Sequence, residues 1–177
     1  AAVKNFADKK PIIYGANAAN AEAMAGVAKA NKATLGIAAN GLDELTDLTE
    51  KIKGLGVEDM VLDSGARRAK DMIEHNTLIR RAAIKKGVKA VGYPVINFMQ
   101  RDDSMLEGLV AAVGVAKYAS IIVMSSIEKW KNLALFTLRQ NIYTDPQVPM
   151  QVEQKIYNIG EPKPESPLFI TTNFSLT

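Results

Sequence analysis

The 177-residue chain contains no cysteine. These residues therefore supply no disulfide, no thiolate nucleophile and no cysteine ligand for zinc or an iron-sulfur cluster. The absence suits a reducing compartment. Long hydrophobic runs are missing as well. No apolar stretch approaches the roughly 20 residues that a membrane helix requires, and no apolar segment follows the opening Ala1-Ala2-Val3-Lys4-Asn5 as a signal peptide would need. The expectation is a cytoplasmic protein with no membrane contact. Charge of one sign is also scarce. The net charge is +3 with a pI near 9.0, and no basic run is longer than a pair such as Lys85-Lys86, so nucleic acid is not an expected partner. There is no glycine-rich phosphate loop; Asn40-Gly41 and Ser64-Gly65 read as turns. The single histidine, His75, has no neighbour at metal-ligand spacing, and no metal site is expected.

What is present is an ordinary globular composition, 47% apolar and 23% charged, arranged as alternating short apolar runs and amphipathic stretches. Pro11 to Gly15, Ala33 to Ala38, Met60 to Asp63 and Ser120 to Met124 read as strands, and the stretch Val88 to Phe98, with Tyr93-Pro94-Val95-Ile96, holds another. Between them lie helical patterns. Asn20 is positioned to cap a helix burying Met24, Val27 and Ala28. Leu42, Leu45, Leu48, Ile52 and Leu55 recur at three or four residues, one buried helical face, with Gly54 and Gly56 at its end. Ala69 to Lys86 reads as helix, with a break possible at His75-Asn76 and a stop at Gly87. Asp102 or Asp103 caps a helix whose buried face is expected to hold Leu106, Leu109, Val110 and Val113. Ser125 and Glu128 have the spacing of a capping box before a helix through Trp130, Leu133, Ala134 and Leu138. Five βα units in succession imply an α/β fold with a parallel sheet and right-handed crossovers. Two architectures fit: an open doubly wound sheet, or part of a (βα)₈ barrel, which needs about 200–250 residues when whole. Five units cut from a barrel leave two open edges, so the remaining strands are expected from chain beyond these residues or from a partner.

After Arg139 the pattern stops. Five of the seven prolines (Pro146, Pro149, Pro162, Pro164 and Pro167) lie between residues 141 and 167, a spacing incompatible with regular helix, and the stretch reads as an ordered linker. Leu168 to Thr172 then reads as a new strand. Asp63 stands at the carboxyl end of a strand, where barrel active sites gather; capping the following turn is the more usual task for an aspartate there. Arg80-Arg81 offer either an anion site or a solvated helix face. Thr171, Thr172, Asn173, Ser175 and Thr177 crowd five hydrogen-bonding side chains into the last seven residues. Hydroxyls and an amide hold a neutral, amide-decorated ligand without adding charge, and strand ends in parallel α/β folds are where ligands bind.

Leu138-Arg139-Gln140-Asn141-Ile142-Tyr143-Thr144-Asp145-Pro146, Pro149 to Glu153, Ile156 to Gly160, Ser166-Pro167 and Thr171-Thr172-Asn173-Phe174-Ser175-Leu176-Thr177 resemble, in order, stretches of the large (gamma) subunit of the corrinoid iron-sulfur protein. Pro11 to Ala16, Val61 to Asp63, Ile79 to Ala82 and Tyr93 to Ile96 fit the same family more loosely. Two departures stand out: Asp63-Ser64-Gly65 where Asp-Pro-Gly is expected, and Gln154-Lys155 where Pro-Gly commonly follows Val-Glu. The resemblance implies a partial TIM barrel over residues 1–140, corresponding to strands four to eight. A proline-rich linker over 141–167 and the start of a C-terminal corrinoid-binding domain over 168–177 follow. It implies a cobalt-containing corrinoid (cobamide) contacted by Thr171 and Thr177. A 4Fe-4S cluster would be held by cysteines of a domain outside this sequence. The implied function is that of a methyl carrier in the acetyl-CoA pathway, taking a methyl group from methyltetrahydrofolate through a methyltransferase and delivering it to acetyl-CoA synthase/carbon monoxide dehydrogenase. The carrier's own small subunit is a further implied partner. No catalytic side chain is implied in the barrel part. The rival readings are a pterin-dependent barrel methyltransferase using Asp63 and Asn97, and a purely structural docking module.

Overall fold

The computed structural model describes residues 2–143, 153 and 155–170. Two compact units divide it, Ala1–Leu138 and Arg139–Thr177. The first opens with a 3-10 helix, Ala2–Lys9, followed by β1 (Ile12–Ala16), α1 (Ala21–Ala30), β2 (Thr34–Ala38), α2 (Leu42–Gly54), β3 (Met60–Asp63), α3 (Ala69–Lys85), a 3-10 turn (Lys89–Val91), β4 (Ile96–Phe98), α4 (Ser104–Ala116), β5 (Ile121–Val123) and α5 (Lys129–Tyr143). The strands lie side by side in chain order and all are parallel. β1, β2 and β3 form one ladder and β4 and β5 another. The two are joined where Leu62 bridges Val95 and its amide donates to Pro94 O at 2.8 Å. An order without reversal has no topological switch point, so these five strands do not follow a doubly wound plan. Among the described residues, the outer edges of β1 and β5 have no strand partner.

The side-chain alternation of a strand sorts the residues onto two faces. Ile13, Leu35, Ile37, Met60 and Leu62 join the main core with α1 and α2, while the alternate residues, Tyr14, Gly36 and Asp63 among them, are left for the opposite face. A second core holds Ala66, Met72, Met99, Val110 and Ala111, with Ile122, Met124 and Leu135 packed against it. The α2 face is as the spacing predicts: Leu45, Leu48 and Ile52 are buried, with Thr49 bonded back to Leu45 O at 2.7 Å.

Other expectations are corrected. Asn20 does occupy the α1 N-cap position, but its side chain makes no cap bond; it donates to Gly15 O instead. The face of α1 is Ala21, Ala25 and Ala28, leaving Val27 42% exposed. An alanine stripe brings the helix close to the sheet, and a face built on Val27 would hold it off. α3 runs unbroken through His75-Asn76 because Asn76 is buried against β4. The strand expected within Val88 to Phe98 is found as β4 in its last three residues, since Lys89–Val91 turns as 3-10 helix. In α4, Asp103 caps as anticipated, accepting from Met105 N and Leu106 N. The buried stripe is Glu107, Val110, Ala111, Gly114 and Val115; Leu106 and Leu109 face outward. The cause is electrostatic, because Glu107 must meet the buried Lys131 and thereby sets the helix rotation. Lys131 is likewise the one buried residue of α5, with Trp130 and Leu133 exposed. The capping box does not form: Ser125 N donates to Glu107, and Glu128 accepts from Ser104, Ser126 and Trp130.

In the second unit, α5 ends at Tyr143. Lys163 to Ser166 closes a turn in which Ser166 N donates to Lys163 O and Lys163 N donates to Ser166 Oγ, both at 2.9 Å. Leu168 to Ile170 are exposed and unpaired, so the expected strand is absent over those residues; its remainder, Thr171-Thr172, lies outside the described residues. Leu45→Ala, removing a fully buried side chain, is expected to lower the unfolding free energy by about 2–5 kcal/mol. Asp103→Ala, removing a cap, should lower it by about 1 kcal/mol. Denaturant titration of both variants checks the ranking.

Candidate functional site

A densely connected polar group is assembled at the carboxyl ends of β1, β3 and β4. Asp63, the last residue of β3, is fully buried. A buried carboxylate must be matched by donors or it destabilises the fold, and here four arrive, two on each oxygen. Tyr14 Oη and Arg67 Nη2, the latter at 2.7 Å, donate to Oδ2; Arg67 Nη1 and Gly65 N, each at 2.9 Å, donate to Oδ1. Local sequence makes each approach possible. Tyr14 and Gly36 are register partners, and a Cβ on Gly36 would lie 2.8 Å from Tyr14 Cδ2. The missing side chain lets the phenol cross β2 to reach β3. Gly65 has φ +74°, and a Cβ there would lie 2.5 Å from Ala39 O; only glycine turns the chain so tightly after Asp63. Arg67 follows Asp63 by four residues and stacks over the Phe98 ring, 5.1 Å from its centroid. Tyr14 meets the same ring at 4.7 Å between centroids. Arg101 extends the cluster by donating to Arg67 O.

The electrostatics follow from burial. The Tyr14 phenol is pushed up to about 12, first by desolvation and then by its bond to the Asp63 carboxylate. Arg67 is raised by the same carboxylate and stays cationic. A carboxylate offers about four lone-pair directions, and all are taken. Asp63 therefore has no free site with which to accept a substrate proton, and of its two anticipated tasks the turn-capping one is realised through Gly65 N. Asn97 does not join it. Its side chain points to α3, where Asn97 Oδ1 accepts from Asn76 Nδ2 at 2.7 Å. His75 Nδ1 lies 3.0 Å from Ser64 Oγ, a pairing that superficially suits a nucleophile. Ser64, however, is buried, and the nearby Asp71 is held by Arg68 at 2.8 and 3.0 Å. Arg80 sits over the Tyr118 ring. Thr171 and Thr177, the anticipated corrinoid contacts, lie outside the described residues.

A second polar cluster, absent from the sequence reading, surrounds Lys131. Its ammonium donates to Glu107 at 2.7 Å and to Ser126 Oγ at 2.8 Å, with Glu128 at 3.3 Å. Three donors thus meet three acceptors. The Glu107 carboxyl is lowered chiefly by Lys131, then by Ser125 N. Glu128 falls to about 2 under hydrogen bonds from Ser104, Ser126 and Trp130. Among the described residues no group of three or more His, Cys, Asp or Glu side chains is placed to hold a metal ion, and no helix is long and apolar enough to cross a membrane.

With this geometry in view, the relatives are informative. The family described as CO dehydrogenase/acetyl-CoA synthase delta subunit matches residues 1–177, and the chain belongs to that family. It is 46% identical over 99% of its length to the corrinoid/iron-sulfur protein large subunit of Moorella thermoacetica. It is 33% identical over its full length to the acetyl-CoA decarbonylase/synthase complex subunit gamma of Methanothermobacter thermautotrophicus and 34% to that of Archaeoglobus fulgidus. The chain spans about two fifths of the length of these relatives, 40% to 42%.

Tyr14→Phe withdraws one of the four donors and should lower the unfolding free energy by about 1–2 kcal/mol, with loss of a tyrosine whose absorbance titrates near 12. Because the folded pKa is raised, the contribution of Tyr14 is complete below its ordinary value of 10.0 and lost as pH rises towards 12. The lowered carboxylates act at the other end of the scale. Glu107 and Glu128 contribute fully above their ordinary 4.5, and that stability drains as pH falls below it, towards about 2 for Glu128. In a thermal-melt series over that acid window, Glu107→Gln should flatten the loss seen in the parent protein.

Proposed function

We propose that the chain is the central part of a corrinoid-dependent methyl carrier, in which residues 1–140 contribute five βα units to a TIM barrel that serves as a docking body. Residues 141–167 form a linker, and 168–177 lead into the corrinoid-binding domain. The observation that carries the reading is the saturated clasp at the strand ends. A barrel that performed acid-base chemistry would keep a free carboxylate at this rim, whereas Asp63 is fully engaged by Tyr14, Gly65 and Arg67. The parallel chain order of β1 to β5, with both outer edges open among the described residues, supports membership of a barrel closed by further strands. The pterin-dependent methyltransferase alternative loses both of its assigned residues, since Asn97 faces α3 and Asp63 has no free lone pair.

Cofactor chemistry divides in two. The chain has no thiolate and does not fit a four-iron cluster. For the corrinoid, Thr171 and Thr177 would be the contacts, with Thr172, Asn173 and Ser175 beside them. Their hydroxyl and amide groups both donate and accept, as the carboxamides of a corrin periphery require. The bound corrinoid would supply cobalt as the methyl-bearing centre. The partners in this reading are the small subunit, the methyltetrahydrofolate methyltransferase and acetyl-CoA synthase/carbon monoxide dehydrogenase. A domain serving two of them needs a tether that limits reach without freezing it, and the spacing of Pro162, Pro164 and Pro167 suits a semi-rigid one.

In the full-length protein, Thr171→Val with Thr177→Val should reduce corrinoid content several-fold while the unfolding of the βα unit stays unchanged. Full corrinoid retention would contradict the assignment. Replacing Pro162, Pro164 and Pro167 by glycine should alter methyl-transfer rates in at least one half-reaction and leave corrinoid content alone.

A further inference from the structure

Among the described residues, three buried side-chain atoms find no protein hydrogen-bond partner: Asn76 Oδ1, Thr77 Oγ1 and Asn97 Nδ2. They are not scattered. All belong to the middle of α3 or to β4, and Asn76 and Asn97 are both fully buried. The two amides share one bond, Asn76 Nδ2 to Asn97 Oδ1 at 2.7 Å. Each is left with one strong group of the opposite kind, an acceptor on Asn76 and a donor on Asn97. Their neighbours on the same buried face of α3 are apolar, Met72 and Ile79. Leaving such a pair unmatched forfeits the hydration of both groups with nothing in return, and natural interiors rarely tolerate it.

We propose that the α3–β4 interface holds one buried structural water, which donates to Asn76 Oδ1 and accepts from Asn97 Nδ2. A single water presents both complementary functions, and buried waters typically make about three hydrogen bonds. The Thr77 hydroxyl on the next residue is a further unpaired group in the same part of α3. The site lies on the helix-facing side of β4, because Asn97 meets α3, so it is separate from the Tyr14–Asp63–Arg67 clasp. The assignment does not depend on which way the amides are turned. Reversing both leaves a donor on Asn76 and an acceptor on Asn97, which one water also satisfies. The site accounts for two fully buried asparagines placed face to face. One bond between them fixes α3 against β4, and the water completes the set.

A crystal structure of the full-length protein at a resolution that shows ordered solvent is the direct test. The expected result is one water within hydrogen-bonding distance of both amides. Reciprocal pairing of the two amides with no water, or clear density lacking any solvent there, overturns the proposal. Magnetic relaxation dispersion of water oxygen-17 supplies a second reading in solution. The double variant Asn76→Leu, Asn97→Leu should lose the signal of one long-lived water, and an unchanged signal would contradict the site. If that variant fails to fold, the wild-type density decides alone.

Discussion

Everything at the open end of this sheet depends on one buried negative charge. Asp63 closes β3 where no solvent reaches it, so its carboxylate holds only if other elements bring donors to it. β1 contributes Tyr14, the turn after β3 contributes Gly65 N, and the chain just beyond contributes Arg67. Phe98 at the end of β4 then packs against both Tyr14 and Arg67. Asp63, Tyr14, Arg67 and Phe98 thereby tie the ends of β1, β3 and β4 across the two ladders, and the tie explains the glycines at 36 and 65. The same saturation that stabilises these strand ends leaves Asp63 without a free acceptor site.

The Lys131 cluster repeats the logic between α4 and α5. A buried ammonium is tolerable because Glu107, Ser126 and Glu128 surround it. Its demands outrank hydrophobic periodicity: α4 turns Leu106 and Leu109 outward so that Glu107 can face inward. Paired charges, in this protein, set the rotation of two helices.

The sequence was legible where a single force dominates. The α2 stripe of Leu45, Leu48 and Ile52, the span of β3 and the Asp103 cap follow from periodicity and local hydrogen bonding, and all three are found. The parallel βα alternation was legible for the same reason. It failed where long-range pairing decides. Nothing in the spacing of Trp130 and Leu133 indicates that Lys131 between them is the buried residue, because its partner Glu107 is 24 positions away. Tyr14 was likewise hidden, since its partner lies 49 positions on. Arg67 carried a faint signal, four residues after Asp63. The rim aspartate was found, but its number of donors, which fixes what it can do, belongs to the fold alone. The anticipated Thr171 and Thr177 contacts rest on resemblance and on the chemistry of hydroxyls.

We propose that β1 to β5 form one arc of a closed barrel whose strand ends are held by structural contacts. Amide hydrogen exchange on the full-length protein tests it most directly. The account predicts that β1 and β5 are protected to the same order as β2, because strands outside this chain pair with their outer edges. Exchange in β1 and β5 at the rate of exposed sheet edges, with β2 alone protected, would contradict it.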